Sequence, residues 1–387
     1  MASIRKRTLP PTKDGTVKTV WLVDYKDGAG NRRAKQFPRR KDADAWLTQA
    51  AWEVSKGVHT ADSQSITVKE AADIWVKAAE ANDRERGTVQ QYKQLRDLHI
   101  VPLLGAERLS RLSAPRVEAF RDELLETRSK AMTSKIVRAL SRILTDSQRR
   151  GLVAQNVARD VKVARSKREK PKVVIPGKDE LKALIDHADA AMKPLVMVAI
   201  FAGLRASELR GLRWIDVDLK GGAISVRQRA DKYCQLGPPK SEAGYRTIPI
   251  GEALVKELRV WKLQCPKGDL GLVFPNGEGG VLDYSHLMKR RFNPLQVRAG
   301  VCDPVMEAGK PKMDKKGHPV MCARYGLHSL RHAAASAWIK QRIDLKRLQT
   351  WIGHESIELT LDTYGHLIMD MEGDAALVAA AQAELLG

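Results

Sequence analysis

The chain has 387 residues, too many for one compact core, and its 67 Lys+Arg against 46 Asp+Glu give a net charge of +21. Two or three domains and a polyanionic partner are expected, nucleic acid before membrane surface. No apolar run is long enough to span a bilayer and "MASIRKRTLPPTKDG" lacks the apolar segment of a signal peptide, so a soluble intracellular protein with no membrane partner is expected.

Residues 1–60 read as a small basic α+β module. "VWLVDYK" and "RRAKQFP" flank the Gly-containing turn "DGAGN", and "KDADAWLTQAAWEVSKG" has helical spacing and a terminal Gly57. The clustered Arg32, Arg33, Lys35, Arg39 and Arg40 suit a sheet lying in a DNA groove, against the plainer reading of a solubilising edge module. Residues 66–160 read as all-helical. Thr67 and Glu70 have the spacing of a capping box, and three further helical patterns follow: "TVQQYKQLRDLHIVPLLG", "SAPRVEAFRDELLETR" and "SKIVRALSRILTDSQRRG". Residues 161–175 form a basic connector carrying Lys162, Arg165, Lys167, Arg168 and Lys170, suited to wrapping a duplex. From 176 to 387 the pattern is mainly helical, with two strands, "AISVRQR" and "YRTIPI", that make a small antiparallel sheet. The chain closes on the Ala-rich helical stretch "GDAALVAAAQAELLG", whose apolar face must be buried against its own domain or a neighbouring subunit.

Within this last region basic groups on distinct elements precede a tyrosine. Arg205 stands in "AGLRASEL", at a turn before a helix that Ser207 is expected to cap. Lys240 lies in "PPKSEAGYR", His328 and Arg331 in "LHSLRH", His354 in "IGHES" and Tyr364 in "DTYGHL". His328 and Arg331, three apart on a helix, share a face and can aim at one anion. A free tyrosine is phenolate in about one molecule in a thousand at neutral pH, and cations nearby lower its pKa, so such a cluster suits a tyrosine nucleophile. The same cations stabilise a pentavalent phosphorane.

This ordered set resembles the tyrosine recombinase family, the phage integrases of the lambda type. The resemblance covers the chain in three parts: an N-terminal arm-type DNA-binding domain (1–60), a helical core-binding domain (66–160) and, after the linker, a catalytic domain (176–387) of the tyrosine recombinase fold. It implies that Arg205 and Arg331 clamp the scissile phosphate, Tyr364 attacks it, Lys240 protonates the leaving 5′ oxygen, and His328 and His354 hold phosphate oxygens or move protons. It further implies double-stranded attachment sites, a homotetramer in the synaptic complex, an excisionase and a host DNA-bending protein as partners, and work at the nucleoid in a bacterial cytoplasm. Because a phosphotyrosyl bond conserves the energy of the phosphodiester, no ATP, metal or other cofactor is expected.

Other readings are open at several residues. Glu208 either supports Arg205 or is a surface helix residue. Lys232 competes with Lys240, which "PK(S/T)" favours. His328 and His332 have the spacing of zinc-protease ligands, but Ser329 stands where that motif needs glutamate. Cys234, Cys265, Cys302 and Cys322 read as reduced thiols, and "CDPVMEAGKPKMDKKGHPVMC", an addition to the family pattern, as a surface loop. Asp216 and Asp218 read as a structural turn. Two rival functions share the chemistry or the charge: a type IB topoisomerase, which relaxes any supercoiled plasmid, and a DNA-binding regulator that cleaves nothing.

Overall fold

The structure, a computed structural model, describes residues 2–11, 17–26, 30, 32–55, 65–164, 174–369 and 382–383. The chain divides into two compact units, Met1–Glu169 and Lys170–Gly387.

The first unit begins with a three-stranded antiparallel sheet in the order β1-β2-β3: β1 Ser3–Thr8, β2 Thr19–Lys26 and β3 Arg32–Phe37. Helix α1 (Arg40–Ser55) covers one face, where Ala43, Trp46 and Leu47 join Ile4, Trp21, Val23, Tyr25 and Phe37 in a small core. The turn between β2 and β3 lies largely outside the described residues, as do Gly57 and the linker residues 165–173.

Five helices follow: α2 Val68–Ala81, α3 Arg86–Leu95, α4 Val101–Leu104, α5 Ala114–Thr127 and α6 Lys130–Arg149. The expected capping box opens α2, with Thr67 Oγ1 accepting from the Glu70 main chain at 3.2 Å and Glu70 Oε2 accepting from the Thr67 main chain at 2.7 Å. Apolar residues at helical spacing, such as Ile136, Val137, Leu140, Ile143 and Leu144 on α6, close the core around Phe120 and Ile100. A wider π-type turn, Arg96–Ile100, joins α3 to α4 just before Pro102, whose missing N–H and ring do not fit an uninterrupted α-helix.

The second unit opens with α7 (Lys178–Asp186) and α8 (Met192–Phe201). Helix α8 is apolar but for Lys193 and is largely buried, with α7, α10 (Glu252–Gln264) and α13 (Leu327–Lys340) packed about it. Between α9 (Ala206–Gly211) and α10 run β4 (Val217–Asp218), β5 (Ala223–Val226), the short hairpin β6 (Arg229–Ala230) with β7 (Leu236–Gly237), and β8 (Arg246–Pro249). Strands β4-β5-β8 form the expected small antiparallel sheet, with Ala223 opposite Pro249 and Val226 opposite Arg246. Asp216 pairs with Arg213 at 3.2 Å and Asp218 Oδ1 accepts two main-chain N–H groups of the next turn, which is the structural role expected of them. Helices α11 (Tyr284–His286) and α12 (Asn293–Arg298) flank a second π-type turn, Leu287–Phe292, again just before a proline, Pro294.

The stretch 302–322 is not a plain loop. It pairs β9 (Cys302–Pro304) with β12 (Met321–Ala323), and β10 (Met306–Glu307) with β11 (Lys310–Pro311), all at the surface. Ladders of two and three residues between prolines and glycines leave no alternating pattern to read. Helices α13, α14 (Leu345–Ile352) and α15 (Ile357–Met369) close the described part. The Ala-rich end, apart from residues 382–383, lies outside the described residues. Among those residues no helix is long and apolar enough to cross a membrane.

Candidate active site

Arg205 opens α9, and it rather than Ser207 takes the cap position. Its main-chain N–H donates to Glu208 Oε2 at 2.8 Å, so a carboxylate three residues on does the capping and Ser207 lies inside the first turn. The Arg205 guanidinium donates to Glu208 Oε1 at 2.8 Å and to the Gly353 carbonyl at 2.7 Å. Glu208 is 3% exposed, so it is no surface residue.

The other partner of Glu208 is Arg246, a residue absent from the sequence candidates. Its two terminal nitrogens donate to the two carboxylate oxygens at 3.1 and 2.8 Å. Burial pushes the Glu208 carboxyl up, but the Arg246 hydrogen bond and the charges of Arg246, Arg205 and Arg331 outweigh it and hold the pKa at about 2. A buried ion pair adds little net stability, because desolvation offsets attraction. The signal for Arg246 was present in the strand: "RTIP" alternates, and Arg246 shares the inward face with Ile248.

Arg331 is enclosed on α13, 1% exposed, with its guanidinium donating to the Gly203 carbonyl at 2.7 Å and to the Ile352 carbonyl. Burial and the charge of Arg205 lower its pKa to about 9, which leaves it cationic at neutral pH. Three successive carbonyls at the end of α14 thus receive three guanidinium groups: Trp351 from Arg246 at 2.7 Å, Ile352 from Arg331, and Gly353 from Arg205. The last carbonyls of a helix have no partner within it and carry the negative end of its dipole, so they are a natural place to gather cations.

Tyr364 enters from α15 and is 1% exposed, packed with Ala335, Ile339, Leu348 and Ile352. Its hydroxyl lies 2.8 Å from Nδ1 of His332. Burial drives the phenol pKa up to about 12 against the pull of Arg331 and Arg205. The expected lowering by cations is therefore overturned: the cations act in the expected direction, but desolvation is larger.

Two histidines, His332 and His354, face the phenol, and a third, His328, backs His332. His354 stacks nearly parallel to the phenol, with centroids 6.4 Å apart, and its Nδ1 lies 3.0 Å from Thr360 Oγ1. His328 keeps an exposed surface and stands edge-on to His332 at 4.6 Å. The face shared by His328 and Arg331 therefore divides into an open imidazole and an enclosed guanidinium. Burial, then neighbouring charges, bring His332 and His354 down to about 4 and lower His328 in the same sense, so neutral imidazoles meet the tyrosine.

Lys240 is exposed on the segment between β7 and the turn Glu242–Gly244. Lys232 lies with Nζ 4.8 Å over the Tyr233 ring. The turn that follows Lys240 runs close against the arginine cluster, since a Cβ added to Gly353 would stand 2.9 Å from the Ala243 carbonyl and 3.0 Å from Arg246.

In the N-terminal module the basic cluster is split by strand alternation. Arg33 and Lys35 share the α1 side of β3 with Phe37, where Lys35 lies 4.8 Å from the Trp46 ring, whereas Arg32 is on the opposite face. Arg39 and Arg40 pair with Asp42 and Asp44 at 2.9 and 3.7 Å. The register places Arg5 and Arg7 of β1 on the same face as Arg32, away from α1, where Arg5 pairs with Asp24 at 3.0 Å, and the sequence reading missed both. Lys162 is exposed, while Arg165, Lys167, Arg168 and Lys170 lie outside the described residues.

Residues 177–370, half of the chain, match the phage integrase family. The tyrosine recombinase XerC of Xanthomonas axonopodis pv. citri (strain 306) is 25% identical over 331 residues, covering 84% of this chain and 91% of its own. In fold the chain is similar to the Tn1549 transposon integrase in complex with transposon right end DNA, with a TM-score of 0.62 and 18% identity over 83% of this chain and 100% of that one. It is also similar to the lambda integrase tetramer bound to a Holliday junction, with a TM-score of 0.57 and 19% identity over 90% of this chain and 97% of that one.

Proposed function

The chain belongs to the phage integrase family, and on that premise we propose that it recombines DNA at specific sites through a covalent 3′-phosphotyrosyl intermediate on Tyr364. The observation that carries this reading is that the charges of Arg331 and Arg205 act on the Tyr364 phenol, His354 stacks on its ring and His328 stands against His332, the imidazole in contact with its hydroxyl. In this reading Arg205 and Arg331 bind the scissile phosphate. The Tyr364 hydroxyl forms a bond to phosphorus as the bond to the 5′ oxygen breaks, and Lys240 protonates that oxygen. His328 and His354 hold phosphate oxygens or move protons, taking up the one the phenol loses, and Glu208 with Arg246 keeps Arg205 in place. The 5′-hydroxyl of a partner strand reverses the step and rejoins the DNA.

The exposed Arg5, Arg7 and Arg32 on one face of the sheet support arm-site DNA binding by residues 1–60, and the helical part from 66 to 160 would grip the core site. Exchange between two duplexes requires four active tyrosines, hence a homotetramer, and the fold's likeness to a tetrameric integrase agrees with that count. Integration of a phage or other mobile element, with an excisionase and a host DNA-bending protein, in a bacterial cytoplasm at the nucleoid, completes the reading.

DNA flanking the gene supplies the candidate attachment site. Two plasmids carrying the cognate pair should be joined by the protein in excess EDTA, and plasmids lacking the site should stay supercoiled. Relaxation of any supercoiled plasmid would favour the topoisomerase, and specific binding without cleavage the regulator.

A further inference from the structure

His332 has no task in the reading above, yet it is the residue in hydrogen-bond contact with the tyrosine hydroxyl. We propose that His332 is a positioning residue for Tyr364: its Nδ1 accepts the phenolic hydrogen, which leaves the lone pairs of the oxygen turned towards the scissile phosphate. This rests on the covalent reading and deepens it.

Four features support the assignment. The phenol is 1% exposed, so bulk water does not orient its hydrogen and a protein acceptor must. His332 is neutral at working pH, as an acceptor must be. Its neighbour in the chain is Arg331, so one helix sets both the proposed phosphate clamp and the nucleophile's orientation, and the two cannot drift apart. Finally, the remaining histidines are otherwise engaged: Nδ1 of His354 faces Thr360, and His328 stands edge-on to the His332 ring and limits its rotation. The spacing His328–His332, which invites comparison with a zinc motif, is here the spacing of a supported imidazole.

The hydrogen-bonding atom decides the test. The amide oxygen of asparagine can occupy the place of Nδ1, and that of glutamine the place of Nε2. On a nicked cognate duplex whose short 5′ fragment is lost after attack, the rate of SDS-stable adduct formation should fall about 10- to 100-fold in His332→Ala, the cost of a poorly aimed nucleophile. DNA affinity and thermal unfolding of the full chain should stay near wild type. His332→Asn should recover most of the rate, and His332→Gln should remain as slow as His332→Ala. A wild-type rate in His332→Ala, or equal rates in the asparagine and glutamine variants, would overturn the assignment while leaving the covalent reading intact. Absence of any adduct from the wild-type chain would overturn both.

Discussion

A phenol with a pKa of about 12 is ionised in roughly one molecule in 100,000 at neutral pH, so Tyr364 does not wait as phenolate. In the proposed reaction its proton must pass to a neutral imidazole of the site as the bond to phosphorus forms, in the field of Arg331 and Arg205. The histidines give a prediction with a definite sign. His332 and His354 titrate near 4 in the folded chain against about 6.5 unfolded. Between those values the unfolded chain binds more protons, so their contribution to stability is complete above about pH 6.5 and is lost as pH falls towards 4. Denaturant unfolding should show wild-type stability falling through this window, and replacing both by asparagine should flatten the fall. An equally steep fall in the double variant would contradict neutral imidazoles at the site. Which histidines matter was only half visible in the chain. "HSLRH" announced His328 and Arg331, but whether His332 meets a zinc ion, the core or a tyrosine depends on α15, 32 residues further on, and no local spacing carries that.

The end of α14 is where the separate elements are fastened together. Gly353 adopts φ +67°, the left-handed conformation that glycine takes without strain at a helix C-terminus, and its carbonyl holds Arg205. Gly353→Ala would meet both the strain of that conformation, about 1–2 kcal/mol, and contact with the Ala243 carbonyl and Arg246. The loss of stability should exceed the strain alone, and cleavage should fall more steeply than stability because Arg205 and the turn that follows Lys240 move together. Unfolding and adduct-formation rates measured on the same preparation check this, and an unaffected rate would detach Gly353 from the site. One helix boundary was legible, since "TVKEAADIW" carries its capping box, whereas the cap of α9 fell on Arg205 and not on Ser207. The carbonyl-to-guanidinium contacts were not legible, because Arg205, Arg246 and Arg331 reach α14 from 148, 105 and 21 residues away.

The basic excess of the chain is unevenly placed, and the N-terminal module shows how. Its hairpin and helix could be read from alternation and turn residues, but the paired face could not be told from the open one until β1 was placed, and that is why Arg5 and Arg7 went unnoticed beside the conspicuous Arg32–Arg40 run. Deleting residues 1–60 should leave cleavage of an isolated core site largely intact and abolish integration at a full attachment site; an unchanged integration yield would remove the arm-binding role. The claim on which all else depends is the covalent bond itself. With the nicked duplex, the wild-type chain should form an SDS-stable adduct in EDTA, and peptide mapping should place the nucleotide on Tyr364 within "TLDTYGHL". Tyr364→Phe removes one buried oxygen and should keep its DNA affinity while losing the adduct. An adduct of undiminished yield from Tyr364→Phe, or one mapped to Tyr325 or Tyr245, would contradict the account and leave Tyr364 as core packing.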